Sequence, residues 1–434
     1  MFNKLKRAAL GAKVPHAKTT ADQATVVMPL PSKILLPMQQ HIGTPCEPVV
    51  KKGDAVQVGT LVGQAQGTVS ANIYSSVSGT VTGVESYTTA AGTAVMAVAI
   101  EPDGQQTVDP SVKAPKVTNR QELLEAVRNS GLVGLGGAGF PTAVKLDSKK
   151  TLHTLLVNAA ECEPYLTSDT REMLEHGDTI QKGIQAVMKH LGISKCIMGI
   201  ESNKPQCIKA MEQMAAAVPG MSVKVLPARY PQGAEKVLVE KLTGAEVPQG
   251  GLPADVGVVV MNVTTLSVMG SYLETGMPLV KKRVTVDGDA VASPKNVEVP
   301  IGTPASQVLE FCGLKEPVAK LISGGPMMGV SMPSLESPVI KQTNGLLALS
   351  QSAAQKPAMG PCIRCGRCID ACPMGLAPVQ IAGAFNKKDD AALKQLCVDL
   401  CMLCGSCSYV CPAKRPVTQT MSLAKRFAQK EEQK

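Results

Sequence analysis

The sequence predicts a multidomain chain of mixed class, β at the front and α/β in the middle, followed by a small α+β module and a cysteine-rich end. Three observations predict it. Residues 28–109 hold short Val/Ile/Thr-rich runs punctuated by Gly and Pro, the composition of an all-β segment. Residues 116–276 alternate apolar runs with helical patterns, as an α/β domain does. Near the end, Cys362, Cys365, Cys368 and Cys372 followed by Pro373 recur as Cys401, Cys404, Cys407 and Cys411 followed by Pro412. With 434 residues there is enough chain for three or four domains.

Residues 1–27 form a basic N-terminal segment. Its first twenty residues carry Lys4, Lys6, Arg7, Lys13 and Lys18 and no acid. It reads as a solvated flexible tail or a docking arm. Lys13 interrupts any apolar core after a few residues, so it is not a secretory signal.

In the all-β segment, the run from Val49 to Gly63 and the run from Ile73 to Val81 resemble the barrel-sandwich hybrid of lipoyl and biotinyl carrier domains. A carrier needs a lysine on its central hairpin, and no Lys lies between Lys52 and Lys113. The fold is expected without the swinging-arm chemistry, in a structural or docking role. Pro110 to Pro115 reads as a linker. Asn119 is placed to cap a helix through Leu123, Leu124 and Val127. Apolar runs at 154–157, 195–200, 222–226 and 256–261 read as buried strands. Residues 280–350 return to short strands and turns, with Asp287-Gly288-Asp289 and Gly324-Gly325-Pro326. A linker at 354–361 leads into the cysteine domain, 357–416, and residues 417–434 read as a charged tail.

The Cys-x2-Cys-x2-Cys-x3-Cys-Pro repeat is the run that ligates two [4Fe–4S] clusters in bacterial ferredoxins, where the fourth Cys of each run serves the other cluster. Cluster one is therefore assigned to Cys362, Cys365, Cys368 and Cys411, and cluster two to Cys401, Cys404, Cys407 and Cys372. A structural zinc uses paired cysteines with no third at the same step. A disulfide framework belongs to small secreted chains, and thiolate ligands suit a reducing cytoplasm. Cys397 lies outside the repeat and reads as a buried helix residue.

The second candidate site lies in 131–142, where Gly134, Gly136 and Gly139 satisfy G-x-G-x-x-G. A dinucleotide fingerprint follows a strand and opens a helix. Here a helix precedes the loop, so the ordinary Rossmann reading is rejected. Glycines still let backbone amides approach a phosphate or a flat ring; a tight structural turn is the alternative. Lys145 follows closely and could neutralise a phosphate. Asn158, Glu161 and Glu163 then sit where a strand ends, at a sheet's carboxyl edge, where ligands bind in α/β folds. Cys162, between the acids, reads as packing.

Gly134 to Thr142 and Asn158 to Pro164, with Tyr230-Pro231-Gln232-Gly233-Ala234-Glu235-Lys236 and Asn262 to Thr265, resemble the NADH- and FMN-binding subunit of respiratory complex I. From about residue 28 to 416 the chain resembles the C subunits of the Rnf (also Rsx) electron-transport complexes. That family joins a barrel-sandwich hybrid, a complex I 51 kDa-like α/β FMN domain, a β-grasp (SLBB-like) module and a two-cluster ferredoxin-like domain. The resemblance implies FMN against Gly134, Gly136, Gly137 and Gly139, with Lys145, Asn158, Asn262 and Thr265 around it. It implies that Phe140 faces the nicotinamide nucleotide, and that Glu161, Glu163 and Glu235 contact the flavin or NADH. Leu135, Ala160 and Ala234 stand where the complex I pattern has an Arg, an acid and a glutamate, and Ser148 near an expected aromatic.

The implied function is a peripheral subunit of a membrane ion-translocating NADH/ferredoxin oxidoreductase. It would use FMN and two [4Fe–4S] clusters, take NAD(H) as substrate, and sit on the cytoplasmic face of the cell membrane. No general acid or base is needed and none is found. Implied partners are the integral membrane and other subunits of an Rnf-type complex and a ferredoxin-like electron carrier. The net charge of +9 and pI near 8.8 suit an acidic carrier or an anionic membrane. Nucleic acid is excluded by the lack of any binding motif and by the 3% aromatic content. The most apolar stretch, 256–269, is too short to span a bilayer and carries Asn262, Thr264 and Thr265. Two other readings compete: a soluble flavin/iron–sulfur subunit of hydrogenase or formate dehydrogenase type, and a flavin-free electron-transfer and docking subunit.

Overall fold

A computed structural model describes residues 11–432. Residues 11–27 are built into the protein rather than trailing from it, which corrects the reading of a solvated tail. Ala12 exchanges two backbone hydrogen bonds with Tyr230, at 2.7 and 3.1 Å. Thr20 Oγ1 lies 2.5 Å from Thr167 Oγ1, and Thr19 donates to Asp287 at 2.6 Å. Val26–Val27 then pairs in parallel with Lys295–Pro300. The remaining basic residues of that segment, Lys4, Lys6 and Arg7, lie outside the described residues.

The front of the chain forms two small sheets. One has the order Ala55–Val56, Gly79–Thr88, Ala94–Pro102, Ile34–Pro37; the other has Glu47–Pro48, Leu61–Gln64, Ile73–Tyr74. Met38, Cys46, Val62 and Ile73 fill the space between them. A side chain at Gly63 would press on Met38 and Ile73, so glycine is what this close approach needs.

The α/β domain is a four-stranded parallel sheet, ordered Met221–Leu226, Lys195–Glu201, Thr154–Ala159, Val258–Asn262. Three of its strands are continuous apolar runs because both faces are covered; the edge strand Met221–Leu226 is largely exposed, with Val225 47% exposed, which corrects the expectation of a buried strand at 222–226. Leu155 and Val157 face a core with Ile180, Ile184 and Leu266, while Leu156 faces a smaller core with Leu238 and Val239. Helices Gly177–Leu191 and Val263–Thr275 cross so closely that a Cβ at Gly183 or Gly270 would run into backbone carbonyls. The sheet grows outward from Thr154–Ala159 and then returns to its other side at Val258–Asn262. Asn158 and Asn262 are thereby register partners at the carboxyl edge of a topological switch point. Asn119 caps Arg120–Asn129 as expected, accepting from Glu122 N at 3.0 Å.

The next module is a six-stranded sheet, ordered 26–27, 295–300, 281–287, 345–349, 320–323, 330–331, with helix Ala305–Cys312 packed on it. Arg283 ties it to the α/β domain through Glu172 and, at 2.8 Å, Glu175.

The cysteine domain is helical. Its core joins Ile381 of Pro378–Asn386, Leu393 of Asp390–Gln395, and Met421, Ala424 and Ala428 of Val417–Glu432. The segment read as a charged tail is thus a core helix, its apolar residues recurring at helical spacing. Cys397 is also corrected: it sits half-buried between helices at φ 54°, not within one. Among the described residues, no helix is long and apolar enough to cross a membrane.

Candidate functional site

The glycine loop folds back on itself over the carboxyl edge. Gly134 N donates to Phe140 O at 2.8 Å, Gly139 N to Gly134 O at 3.1 Å, and Thr142 N to Leu132 O at 3.1 Å. The tip, Gly136 to Ala138, is exposed. Among the described residues, the amides of Gly136 and Gly137 meet no protein acceptor. A Cβ on Gly136 would press on the Asn262 side chain at 3.3 Å, and one on Gly139 would collide with Gln342. Over Gly137, at φ 109°, the nearest atom is Asn344 Nδ2 at 3.9 Å. Open space thus meets unengaged amide donors at the loop tip, a cradle suited to a phosphate or a ring edge.

The loop is fastened below. Leu135 N donates to Thr265 Oγ1 at 2.9 Å, and the Leu135 side chain is buried. Asn262 caps the helix behind, accepting from Thr265 N at 3.2 Å and donating to Asp169 at 2.8 Å. Asp169 also accepts from Thr264 at 2.6 Å. Asn158 donates to Gly233 O at 2.8 Å, bringing the Tyr230–Glu235 loop to the same edge. Glu235 lies at the start of the helix Glu235–Thr243 and pairs with Lys145 at 2.6 Å. Two of the residues expected at the ligand are therefore partners of one another.

The acidic turn is more buried than the sequence suggested. Glu161, at φ 46°, accepts from Asp169 N at 2.7 Å and Thr170 Oγ1 at 2.5 Å, so its carboxylate closes the start of helix Ser168–Glu175. Glu163 accepts the amides of Met327 and Met328 at 3.0 and 2.9 Å, clasping the Gly324-Gly325-Pro326 turn of the next module. Burial pushes both carboxyls up, opposed at Glu161 chiefly by the Lys18 charge and at Glu163 by those two amides. Both glutamates thus support the turn, each with its carboxylate hydrogen-bonded within the protein. Two lysines, Lys18 half-buried and Lys204 buried, hold the turn's backbone. Lys18 donates to the carbonyls of Glu161 at 2.9 Å, Glu163 at 2.8 Å, and Leu166. Lys204 donates to Ala160 O at 2.7 Å and pairs with Glu201 at 3.2 Å. Burial pushes the Cys162 thiol up to about 12, which keeps it protonated and unreactive.

In the cysteine domain, Cys372, Cys401, Cys404 and Cys407 line one cavity together with Met374 and Met421. At Cys407, burial raises the thiol to about 11; a Thr418 hydrogen bond opposes it, and the sulfurs of Cys404, Cys401 and Cys372 add to it. Cys362 and Cys365 likewise act on Cys368. The fourth Cys of the first run therefore lies with the three of the second, as crossed ligation requires. Four thiols around a cavity with an apolar wall fit a cubane cluster, whose irons would hold them as thiolates. The second loop docks on the α/β domain and the module after it: Tyr230, 1% exposed, donates to Cys404 O at 2.6 Å, and a Cβ at Gly405 would lie 2.9 Å from Met327 O.

Sequence reasoning missed Lys18, Lys204, Asp169 and Tyr230 as parts of this site. Tyr230 heads the 230–236 motif and could have been found there; the lysines and Asp169 carry no local signal.

Family models match four stretches: the RnfC barrel sandwich hybrid domain over residues 6–105, the Nuo51 FMN-binding domain over 127–270, the SLBB domain over 283–331 and a 4Fe-4S dicluster domain over 361–415. Among relatives, the C subunit of the proton-translocating ferredoxin:NAD(+) oxidoreductase complex of Clostridium ljungdahlii is 44% identical over 380 residues, 86% of this chain and 82% of that one. The C subunit of the Na(+)-translocating ferredoxin:NAD(+) oxidoreductase complex of Acetobacterium woodii is 43% identical over 385 residues, 86% of each chain. The C subunit of the ion-translocating oxidoreductase complex of Rhodobacter capsulatus is 42% identical over 383 residues, 86% of this chain and 74% of that one. A solved NAD+-reducing [NiFe]-hydrogenase in the H2-reduced state superposes with a TM-score of 0.51 at 19% identity, covering 71% of this chain and 63% of that one, a likeness of fold alone.

Proposed function

The chain belongs to the RnfC family, the C subunits of Rnf-type ion-translocating oxidoreductase complexes, and from that premise we propose that it carries electrons between NAD(H) and the one-electron carriers of such a complex, peripherally, from the cytoplasmic face of the membrane. The observation that carries this reading is the Tyr230–Cys404 hydrogen bond, which fixes a cluster loop against the domain that bears the glycine cradle. Bound FMN supplies the link between paired and single electrons.

The chain's own residues supply the geometry. The amides of Gly136 and Gly137 receive phosphate or ring oxygens, and Gly134 and Gly139 let the loop turn tightly enough to present them. Asn262 and Thr265 set the loop's height over the sheet, and Asn158 holds the 230–235 loop at its rim. Lys145 and Glu235 form a charged pair beside the site, and Phe140, half-buried, is the ring available to stack on a nicotinamide nucleotide. Lys18 and Lys204 fix the acidic turn. Cys362, Cys365, Cys368 and Cys411 hold one cluster; Cys401, Cys404, Cys407 and Cys372 hold the other. Ion movement belongs to the complex as a whole, so integral membrane subunits are the proposed partners on one side and a ferredoxin-like carrier on the other.

Visible spectra of the anaerobically purified chain test this reading. A flavin band that bleaches on adding NADH is expected. A chain that carries iron and sulfide but no flavin would instead be an electron-transfer and docking subunit.

A further inference from the structure

The two cluster loops differ in how far they are covered. The second is enclosed: Cys404 is buried, and the loop touches Tyr230 and Met327. The first is open. Cys362 and Cys365 are exposed, and the apolar side chains beside them, Met359 and Ile363, are 60% and 66% exposed. Together they make a small apolar tip beside a redox loop.

The surroundings of that loop say what kind of partner fits. Arg364 and Arg367 lie within it and are exposed, as are Lys356 before it and Lys414 beyond the second run. The second run's end is brought alongside: Gly360 N donates to Ala413 O at 3.0 Å, and Arg415 donates to Gly360 O at 3.3 Å. The sequence carries no acid between Glu336 and Asp370, and none between Asp399 and Glu431. A small apolar tip ringed by basic charge is complementary to an acidic protein surface, and the charge would both steer and orient it.

We infer that the Met359–Arg367 loop is the docking surface for an acidic iron–sulfur protein, which exchanges single electrons with the cluster held by Cys362, Cys365, Cys368 and Cys411 while the other cluster faces the flavin. This rests on the proposed function and adds where the one-electron partner binds. Each exchange moves one electron from the reduced cluster to the oxidised one, with no bond made or broken.

The test uses the full chain with FMN and both clusters, and an acidic two-[4Fe–4S] ferredoxin as probe. The second-order rate of electron exchange is followed by stopped flow. Arg364→Glu/Arg367→Glu is expected to slow it about tenfold or more at low salt, with the difference shrinking at high salt. Lys356→Glu/Lys414→Glu, outside the ligand loop, is expected to slow it too, and covers the case in which the first pair loses its cluster. Lys51→Glu/Lys52→Glu, an equal charge change on the barrel-sandwich domain, is expected to leave it unchanged. Unaltered rates in both loop variants, or equal slowing by the Lys51/Lys52 pair, would overturn the inference. So would normal exchange in a variant that has lost only its binding to anionic lipid vesicles, which would assign the face to the membrane. Reduction of the flavin by NADH, read without ferredoxin, reports separately on the proposed function.

Discussion

The phenol of Tyr230 donates a 2.6 Å hydrogen bond to the main-chain carbonyl of Cys404, in a position that solvent does not reach. Burial, reinforced by the nearby Glu163 carboxylate, keeps the phenol protonated at any physiological pH. One residue of the loop beside the glycine cradle thus polarises the backbone of Cys404, a proposed cluster ligand. Tyr230→Phe removes the donor and leaves a buried carbonyl without its partner, a loss of about 1–3 kcal/mol. The expected result is a lower melting temperature and a lower reduction potential for one of the two clusters, since a hydrogen bond to the ligand strand favours the reduced, more negative state. Redox titration followed by EPR checks this; two unshifted potentials would show that the contact does not tune the cluster.

Cys372 closes the first run but shares a cavity with Cys401, Cys404 and Cys407, and the proposed crossed ligation makes it a member of the second site. Cys372→Ala should lower iron from about eight to about four per chain, four being the content of one cubane. The surviving EPR signal should be that of the exposed cluster, which an external chelator reaches first. Loss of that signal with retention of the covered one would mean that each run serves its own cluster.

Gly137 is the loop position where a side chain meets almost nothing of the protein and its backbone has φ 109°. Gly137→Val combines backbone strain with a bulky group in the cradle. Strain of about 1–3 kcal/mol against the binding-competent loop conformation weakens binding by about five- to 150-fold. Flavin content on purification should collapse while iron and sulfide stay near their normal amounts. Full flavin retention would place the cofactor elsewhere.

Much of this was legible in the sequence because its signals are local. The cysteine spacing names its ligands within eleven residues, and the glycine loop and the Asn119 cap are equally short-range. What stayed hidden depends on distant partners. Lys18 reads as one more charge in a basic stretch, yet its acceptors lie 143 to 148 positions away. Glu161 and Glu163 have the right chemistry at the right edge, but Asp169, Thr170 and the Met327 and Met328 amides take their carboxylates. The final helix was obscured by its charged residues, although Met421, Ala424 and Ala428 lie on one face.

His176 offers a test of how the α/β domain is joined to the six-stranded sheet. Its Nδ1 lies 3.0 Å from Glu172, which also binds Arg283 across that junction. The hydrogen bond to Glu172 raises the imidazole above its ordinary 6.5, with burial opposing. A raised folded-state value means that the stabilisation is complete below about pH 6.5 and fades as pH climbs through the folded value. His176→Gln should therefore lower the melting temperature most near pH 6, with the gap from the parent closing by about pH 9. A gap that widens with pH would reverse the assigned sign.

Conversion between electron pairs and single electrons, through FMN and two clusters, is the central claim for this chain. It is tested most directly by reducing the purified chain anaerobically with a one-electron reductant, removing the excess, and adding NAD+. Absorbance at 340 nm and cluster EPR are then read on the same sample. The expected result is NADH formation with loss of the cluster signals, one NADH for every two electrons withdrawn, and neither change in Gly137→Val. Clusters that stay reduced with no NADH formed, or an unimpaired Gly137→Val chain, would contradict it.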